Sequence, residues 1–331
     1  MTATPLLTEL TTRARATAHT RTPTCPCLRG TAPRTETLAD RPDATVVRHA
    51  DTVAKAHAPT TPLPDLTTRL TTAAHLPGIF LPPLVPTPVD LHGRLVTFWP
   101  YGTPVDPEDP DAAPWEAAAT LLAHLHRTPL ATVAPTTTRT PLPLPPMQGP
   151  TKAAHAVARL QAAPTTAAQH PAVPPVLAAW STLPPWARAE TPMPDRTTLC
   201  HGDLHLGQLV RHPTPDGPWH LIDVDDLGTG VPTWDLARPA AWYACGLLPP
   251  DEWTRFLSAY RAAGGPAVPP DGDPWPALDV PARALTVQTA ARAIVKATAE
   301  QRPLDEIEMS VIDACARMSS AAPDLPPGFP K

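Results

Sequence analysis

One segment, residues 199–223, constrains this chain more than any other. It reads Leu-Cys-His-Gly-Asp-Leu-His-Leu-Gly-Gln-Leu-Val and, after a turn rich in proline, ends in Leu-Ile-Asp. Its apolar residues predict three short strands, at 199–200, 209–211 and 219–222. Strands on both sides would hold the loop 201–208 in place. We therefore expect three polar side chains to converge there: Asp203, Gln208 and Asp223.

Those three side chains match what phosphoryl transfer from a nucleotide requires. A carboxylate such as Asp203 can orient an attacking hydroxyl and accept its proton. The amide of Gln208 and the carboxylate of Asp223 can hold Mg²⁺, which prefers oxygen ligands. A zinc site built on His201 and His205 is disfavoured, because the amide and carboxylate downstream fit magnesium better. The segment thus predicts a kinase that uses ATP or GTP with Mg²⁺.

The stretch Leu199–Tyr243 resembles the aminoglycoside phosphotransferase and choline-kinase-like superfamily. That pattern is His-Gly-Asp, four residues and an Asn, then Ile-Asp and a later Asp-Leu-Ala. The resemblance implies that Asp203 is the catalytic base, Asp223 the principal metal ligand and Asp235 a buried anchor for the catalytic loop. Here Gln208 replaces the usual asparagine, which keeps the amide oxygen but moves it one methylene farther out.

The resemblance also implies a fold class, α+β, with the two lobes of a protein-kinase-like fold. The small β-rich N-terminal lobe would be residues 1–101, and the larger, mainly helical C-terminal lobe would be residues 102–331. The upstream pattern agrees, since it predicts strands, then the helix Leu66–Leu76, then strands again. The predicted strands are at 37–39, 45–48, 52–56, 80–84 and 95–99.

Nucleotide binding is assigned to the small lobe. Lys55, in Val53-Ala54-Lys55, stands where kinase-like proteins place the lysine that grips the α- and β-phosphates. A solvated strand lysine is the alternative. Adenine would bind beneath residues 96–102, with backbone groups around Trp99–Tyr101 as hydrogen-bond donors and acceptors.

The sequence leaves alternative roles open for several other polar residues near the motif. We expect His201 and His205 to be structural, with contact to substrate or phosphate as the alternative for His205. Asp225 could bind metal or substrate, and a solvated loop acid is equally compatible with the sequence. A cationic acceptor would meet Asp225, Asp226 and the acidic stretch 106–111, although that stretch also fits a hinge loop with Asp111 as a helix N-cap.

Two expected parts of the small lobe are missing from the sequence. No glycine-rich loop precedes Thr45, where Arg41-Pro42-Asp43-Ala44 stands instead, and the helix Leu66–Leu76 has no glutamate to pair with Lys55. Asp65 is the nearest acid. A pseudokinase, a nucleotide-binding scaffold without phosphotransfer, is therefore the rival interpretation. We expect an active kinase that phosphorylates a hydroxyl of an aminoglycoside-like compound, a sugar or an amino alcohol.

Outside the motif, helices are predicted at 6–17, 112–127, 233–246, 250–263, 280–300 and 304–319. The proline-rich stretches 135–150 and 164–185 are expected to be irregular or to flank helices.

Composition limits partners and location. The net charge of −5 argues against a general nucleic-acid binder, and no apolar run reaches the roughly 20 residues of a membrane span. The N-terminal residues show no apolar signal-peptide core, so a cytoplasmic protein is expected. Among five cysteines only Cys25 and Cys27 are close in sequence. Reduced thiols are favoured over zinc there, because only His19 lies near enough in sequence to assist.

Overall fold

The computed structural model describes residues 5–21, 25, 35–133, 144–163 and 170–320. Its helices in this range are α1 Pro5–Arg21, α2 Leu63–His75, α3 Trp115–Arg127, α4 Leu130–Val133, α5 Gly149–Gln161, α6 Val173–Ser181, α7 Ala237–Ala244, α8 Pro250–Ala262, α9 Trp275–Ala299 and α10 Glu306–Ser320. Its strands are β1 Glu36–Asp40, β2 Thr45–His49, β3 Thr52–Ala56, β4 Val89–Leu91, β5 Arg94–Pro100, β6 Thr103–Pro104, β7 Thr198–Cys200, β8 Leu209–Arg211, β9 Trp219–Leu221 and β10 Gly228–Gly230. Single 3₁₀ turns lie at Pro110–Ala112, Leu206–Gln208 and Pro232–Trp234.

The N-terminal part is a five-stranded antiparallel sheet in the order β1-β2-β3-β5-β4. Burial alternates along β3, so that Thr52, Ala54 and Ala56 face a small core with α1. Because successive side chains of a strand point to opposite faces, Val53 and Lys55 face the other side. That is the side on which Asp223 and Asp225 lie, as the contacts of Lys55 below show.

The predicted strand at 80–84 is wrong. Phe80 forms only an isolated bridge with Leu221, and a strand β4 forms at Val89–Leu91 instead. Pro82-Pro83 explains the difference, since neither residue has a backbone N–H to donate to a sheet. The other predicted strands of this part form within one or two residues of their expected bounds.

The C-terminal part is mainly helical, and several predicted bounds shift. The predicted helix 112–127 starts at Trp115, after a 3₁₀ turn capped by Asp109 rather than by Asp111. The predicted helix 233–246 divides into the 3₁₀ turn Pro232–Trp234 and α7, while α9 begins five residues before the predicted 280. Within the described residues, every helix is too short or too polar to span a bilayer.

The proline-rich stretch 164–185, predicted to be irregular or to flank helices, contains a helix of its own, α6. Its prolines occupy the first turn, where a missing N–H has no intrahelical partner to lose. Residues 135–143 and 164–169, which belong to the two proline-rich predictions, lie outside the described residues, as does Cys27.

Two small sheets flank the loop 201–208, the catalytic loop of the sequence prediction. β7 pairs with β10, and β8 lies between β6 and β9. The chain therefore leaves β7 at Cys200, forms the loop 201–208 and enters β8 at Leu209, as the sequence predicts.

Candidate active site

The catalytic loop is fixed from below by a buried carboxylate, Asp235. Its oxygens accept hydrogen bonds from the backbone N–H groups of His201, at 2.6 Å, and Gly202, at 2.7 Å. His126 Nε2 lies 3.0 Å from the same carboxylate, and the other ring nitrogen of His126 contacts the Tyr260 hydroxyl at 2.7 Å. Asp235 is where the resemblance placed an anchor for the loop.

Removing the Asp235 carboxylate would leave two buried N–H donors and an imidazole without their partner. Asp235→Ala is therefore expected to lower the free energy of unfolding by about 3 kcal/mol. Urea titration followed by tryptophan fluorescence measures the loss. Asp216→Ala, in an exposed turn, is the matched control and should change stability by less than about 0.5 kcal/mol. Equal stability of the two variants would contradict the anchoring role.

Glycine is required at position 202. Its φ of +88° lies in the left-handed region, and a Cβ there would stand 2.5 Å from the backbone oxygen of Asp226. The catalytic loop can approach the segment after Asp223 this closely only without a side chain.

The two loop histidines differ in their surroundings. His201 is buried, its Nε2 lies 2.9 Å from the carbonyl oxygen of Ile222, and its ring stacks on Phe80. His205 is half-buried, and burial together with the charge of Arg238 lowers its pKa to about 4. His205 is therefore neutral near pH 7. The contacts of His201 are those of a residue that holds the loop.

Asp203 lies between two cations that the sequence did not single out. Its Oδ2 accepts from Lys152 Nζ at 2.7 Å, and its Oδ1 accepts from Arg238 at 2.6 Å. Burial opposes ionisation of Asp203, but the charges of Lys152 and Arg238 outweigh it and hold its pKa well below the usual range. Asp203 is thus an ionised hydrogen-bond acceptor across the physiological pH range.

Lys152 also joins the catalytic loop to Asp226. Its Nζ lies 2.5 Å from Asp226 Oδ2, so one ammonium bridges two carboxylates. Burial raises the pKa of Asp226 despite this contact. Burial also opposes the charge of Lys152, but the carboxylates of Asp226 and Asp203 outweigh it and raise the pKa of Lys152. Asp226 is consequently engaged in this cluster rather than presented as a lone acid.

Lys55 reaches the second carboxylate of the motif. Its Nζ donates to Asp223 Oδ1 at 2.8 Å and lies 2.9 Å from Asp225 Oδ2. Burial opposes the charge of Lys55, but the two carboxylates outweigh it and raise its pKa above the usual range. The ion pair joins β3 of the N-terminal sheet to the segment after β9, although these residues are far apart in sequence.

Asp225 has a second partner, His57, which directly follows β3. The Nδ1 of His57 lies 2.6 Å from Asp225 Oδ1, and its Nε2 lies 2.8 Å from Thr97 Oγ1. Burial disfavours ionisation of Asp225, yet Lys55 and His57 together hold its pKa below the usual range. The solvated-loop interpretation of Asp225 therefore does not describe the structure.

Trp99 and Tyr101, the predicted adenine contacts, have hydrogen-bond partners within the protein. Trp99 is buried and its indole donates to Thr97 Oγ1 at 2.9 Å. The N–H of Tyr101 donates to the Asp51 carbonyl at 2.7 Å, and the carbonyl of Tyr101 lies 3.2 Å from His212 Nδ1. In this structure the backbone groups of Tyr101 are thus already hydrogen bonded. Binding of adenine there would have to displace His212 or use neighbouring groups.

The amide of Gln208 lies beside Asp223, as the metal prediction requires. Gln208 Nε2 is 3.4 Å from Asp223 Oδ2, so a rotation of the amide would bring its oxygen to the same place. Asp223 itself has a φ of +66°, an uncommon backbone conformation for a residue with a side chain. An amide oxygen, a carboxylate and phosphate oxygens are ligands that suit Mg²⁺. The residues present therefore fit this ion.

Four residues around this site escaped the sequence analysis: His57, Arg69, Lys152 and Arg238. Arg69 is buried on α2, the helix without a glutamate, and its Nε donates to the Leu227 carbonyl at 2.8 Å. Only Lys152 gave a signal, because the chain has four lysines and a second one at the active site could have been suspected. Arg238 directly follows Asp-Leu-Ala, where the motif stops.

A model of the phosphotransferase enzyme family matches residues 45–278, whereas a search of curated proteins gives no match. Choline kinase LicA from Streptococcus pneumoniae superposes with a TM-score of 0.56 at 14% identity, covering 92% of this chain and 100% of that one. A choline/ethanolamine kinase family protein from Mesorhizobium loti gives 0.53 at 17% identity, covering 94% and 96%.

A third similar structure is an aminoglycoside phosphotransferase, APH(4)-Ia, in a ternary complex with AMP-PNP and hygromycin B. It has a TM-score of 0.53 at 13% identity and covers 88% of this chain and 96% of that one. These likenesses confirm the protein-kinase-like two-lobed fold. Because the family model spans more than half of the 331 residues, the chain belongs to the phosphotransferase enzyme family.

Proposed function

We propose that this phosphotransferase moves the γ-phosphoryl group of ATP or GTP to a hydroxyl of a small molecule. One observation carries the proposal. Lys55 and Asp223, from opposite parts of the chain, meet at 2.8 Å beside Gln208, and Asp203 lies in the same loop as Gln208. The arrangement combines a phosphate-binding cation, a metal site and an acceptor for a hydroxyl proton.

Asp203 would act mainly by orienting the acceptor hydroxyl. Lys152 and Arg238 keep its pKa low, which makes it a weak base. In a loose transition state the hydroxyl becomes acidic only as its oxygen bonds to phosphorus, so a weak base in the right place is sufficient. Asp203 would then hold the hydrogen bond throughout and receive the proton late.

The Mg²⁺ ion, when held by Asp223 and Gln208, would neutralise the phosphates of the donor. Lys55 lies next to this position and would contact the phosphates from the side of the N-terminal sheet. Asp225 would keep Lys55 in place through its 2.9 Å contact. We infer that Asp225, supported by His57, takes the role that the absent glutamate of α2 would have had.

The carboxylate partners of Lys55 argue against a scaffold without activity. The rival interpretation depended on an unpaired lysine and a missing glycine-rich loop. Lys55 has two carboxylate partners in the structure, so its restraint does not need a glutamate on α2. The AMP-PNP and hygromycin B of the similar aminoglycoside phosphotransferase are compatible with a nucleotide donor and a small-molecule acceptor. The lobe bounds of 1–101 and 102–331 and a cytoplasmic location are part of this proposal.

An acceptor screen tests the function. Purified protein is incubated with Mg²⁺ and either ATP or GTP, and the release of ADP or GDP is measured with each candidate acceptor. The candidates are sugars, amino alcohols, aminoglycosides and their phosphorylated derivatives. Acceptor-dependent release above the rate without acceptor supports a kinase. Tight nucleotide binding with no release across the panels would favour the scaffold.

Lys55→Ala should weaken binding of Mg·ATP by about 10-fold to 100-fold, because a charge-assisted contact to the phosphates is lost. Adenosine has no phosphates, so its affinity should change by less than about threefold. Lys55→Arg should restore only part of the loss, since a planar guanidinium cannot replace a compact ammonium between two carboxylates. Calorimetry with both ligands gives these values. Equal losses for ATP and adenosine would mean that Lys55 supports the fold instead.

A further inference from the structure

A basic cleft lies between α5 and α9, next to the catalytic loop. Its cavity has a volume of about 400 Å³, which is in the range of small-molecule sites. Lys152 lines it and also contacts Asp203, so the cleft opens beside the catalytic carboxylate. Its charged and titratable lining residues are Lys152, His155 and Arg159 on α5, Arg292 and Lys296 on α9, and Asp43 from the turn between β1 and β2.

The charge of this cleft is unbalanced. Lys152 is neutralised by Asp203 and Asp226, but Arg159, Arg292 and Lys296 have no ion-pair partner in the described part of the chain. Asp43 is the single acid among the lining residues. Three cations facing one cavity with a single carboxylate repel one another, and an anion that entered the cavity would relieve this repulsion.

Arg292 is also held in position. In the amide orientation that satisfies both groups, the oxygen of buried Gln288 accepts from its two terminal nitrogens at 2.8 and 3.2 Å. Partial desolvation lowers the pKa of Arg292, and repulsion from Arg238 and Arg159 adds to the shift although Asp203 opposes it. A guanidinium fixed from behind by a neutral amide keeps its full charge for a ligand. This differs from an arginine buried in an ion pair.

We propose that the acceptor of this kinase is an anionic hydroxyl compound, a phosphate ester, whose phosphate is bound by Arg159, Arg292 and Lys296. The proposal rests on the proposed function and names its substrate class. With the phosphate in the cleft, a hydroxyl of the same molecule would point toward Asp203. Guanidinium groups suit this ligand because they bind phosphate oxygens in a bidentate manner. Cationic acceptors are disfavoured, since Asp225 and Asp226 already have cationic partners.

The test pairs acceptors that differ only in the phosphate. Glucose and glucose 6-phosphate, glycerol and glycerol 3-phosphate, and ribose and ribose 5-phosphate are assayed with Mg·ATP, with kanamycin as the cationic probe. We expect turnover with phosphorylated members alone. With the best of them, the double variant Arg292→Ala/Lys296→Ala should raise KM by about 10-fold to 100-fold and leave the Kd of Mg·ATP within about twofold. Arg255→Ala, on the exposed surface of α8, is the control and should change neither value.

Failure of this proposal can be separated from failure of the proposed function. Turnover confined to unphosphorylated compounds or kanamycin would overturn the anionic acceptor while supporting the kinase. If the double variant lost Mg·ATP affinity by the same factor as it raised the acceptor KM, the cations would bind the donor. If the variant abolished binding of a single-stranded RNA probe and left the acceptor KM unchanged, the cations would bind nucleic acid. Both results overturn the proposal. If no acceptor is turned over, the melting temperature of the protein is compared with glycerol 3-phosphate and with glycerol. A rise with glycerol 3-phosphate alone, which the double variant loses, would support the anion site. No rise with glycerol 3-phosphate would overturn it.

A second, independent cluster lies at the opposite face of the N-terminal sheet. The side-chain nitrogens of His19 and His49 and the sulfur of Cys25 lie within 4.8 Å of one another. The Sγ of Cys25 is 4.0 Å from His49 Nε2, and the two imidazole rings meet edge to face with centroids 5.5 Å apart. In the sequence only His19 lies near Cys25, because His49 follows 24 residues later.

The surroundings of His49 suit a metal ligand. Its Nδ1 lies 2.9 Å from Thr35 Oγ1, and a ring that donates this N–H would offer Nε2, 4.0 Å from Cys25 Sγ, as the metal ligand. Ligands of tetrahedral zinc lie roughly 3.5 Å apart, so side-chain shifts below about 1 Å would bring these three ligands to coordinating distance, with water as the fourth ligand.

We propose that His19, Cys25 and His49 bind a zinc ion that fastens the end of α1 to β2. Protein purified without chelator should contain about one zinc per chain by elemental analysis, and His49→Gln should contain none. Cys245→Ser, a thiol of the helical part, is the control and should keep the metal. Wild-type protein refilled with Co²⁺ should show a sulfur-to-cobalt charge-transfer band, a measurement that needs no variant to fold. Wild-type protein that is purified without zinc and shows no such band after addition of Co²⁺ would overturn the site.

Discussion

Asp203→Asn is expected to lower turnover by roughly 10²- to 10⁴-fold at saturating substrates. The amide cannot accept the hydroxyl proton, and it loses the ionic part of the contacts with Lys152 and Arg238. The fold should be little affected, because Asp235 rather than Asp203 holds the catalytic loop through the N–H groups of His201 and Gly202. Steady-state kinetics gives kcat and KM, and calorimetry gives the affinity for Mg·ATP.

Two comparisons make this result specific. The affinity for Mg·ATP should stay within about threefold of wild type, since Asp203 does not belong to the metal and phosphate cluster. A fall in kcat without a fall in nucleotide affinity assigns Asp203 to the transfer step. Unchanged turnover would remove Asp203 from the mechanism.

Asp223→Ala should abolish productive binding of Mg·ATP, the second large effect. The variant removes the metal carboxylate and one of the two anions that hold Lys55, although Asp225 still contacts that lysine. Gln208→Asn is the matched partial variant: the amide is kept, its reach is shortened and some activity should remain. Titration of activity with Mg²⁺ for wild type and both variants measures the effect. An identical Mg²⁺ midpoint in wild type and Asp223→Ala would contradict the metal assignment.

The catalytic loop could be predicted from the sequence because its geometry is encoded locally. Asp203, Gln208 and Asp223 lie in one strand–loop–strand unit, and short-range spacing decides how they meet. The same holds for Lys55, since the alternation of β3 decides which face it occupies. Proline explains where local rules failed, because Pro82-Pro83 prevented the predicted strand after Phe80.

The partners of these residues could not be predicted, because they arrive from distant parts of the chain. Lys152 comes from α5 and meets Asp203 and Asp226 only once that helix packs beside the catalytic loop. His57 meets Asp225 in the same way, and Arg292 depends on how α9 lies against α5. The charge that an acceptor meets is set by such tertiary contacts. For this reason the acidic residues of the motif suggested a cationic acceptor, while the packed structure shows those acids already paired.

The fate of the γ-phosphoryl group tests the central claim most directly. Wild-type protein with Mg·ATP and an acceptor found in the screen is followed by ³¹P NMR, beside Asp203→Asn under the same conditions. The account predicts a new phosphate monoester resonance that grows in step with ADP in the wild type and is at least about 100-fold slower in the variant. ADP that appears with inorganic phosphate alone, or an ester that forms at the same rate in both proteins, would contradict it.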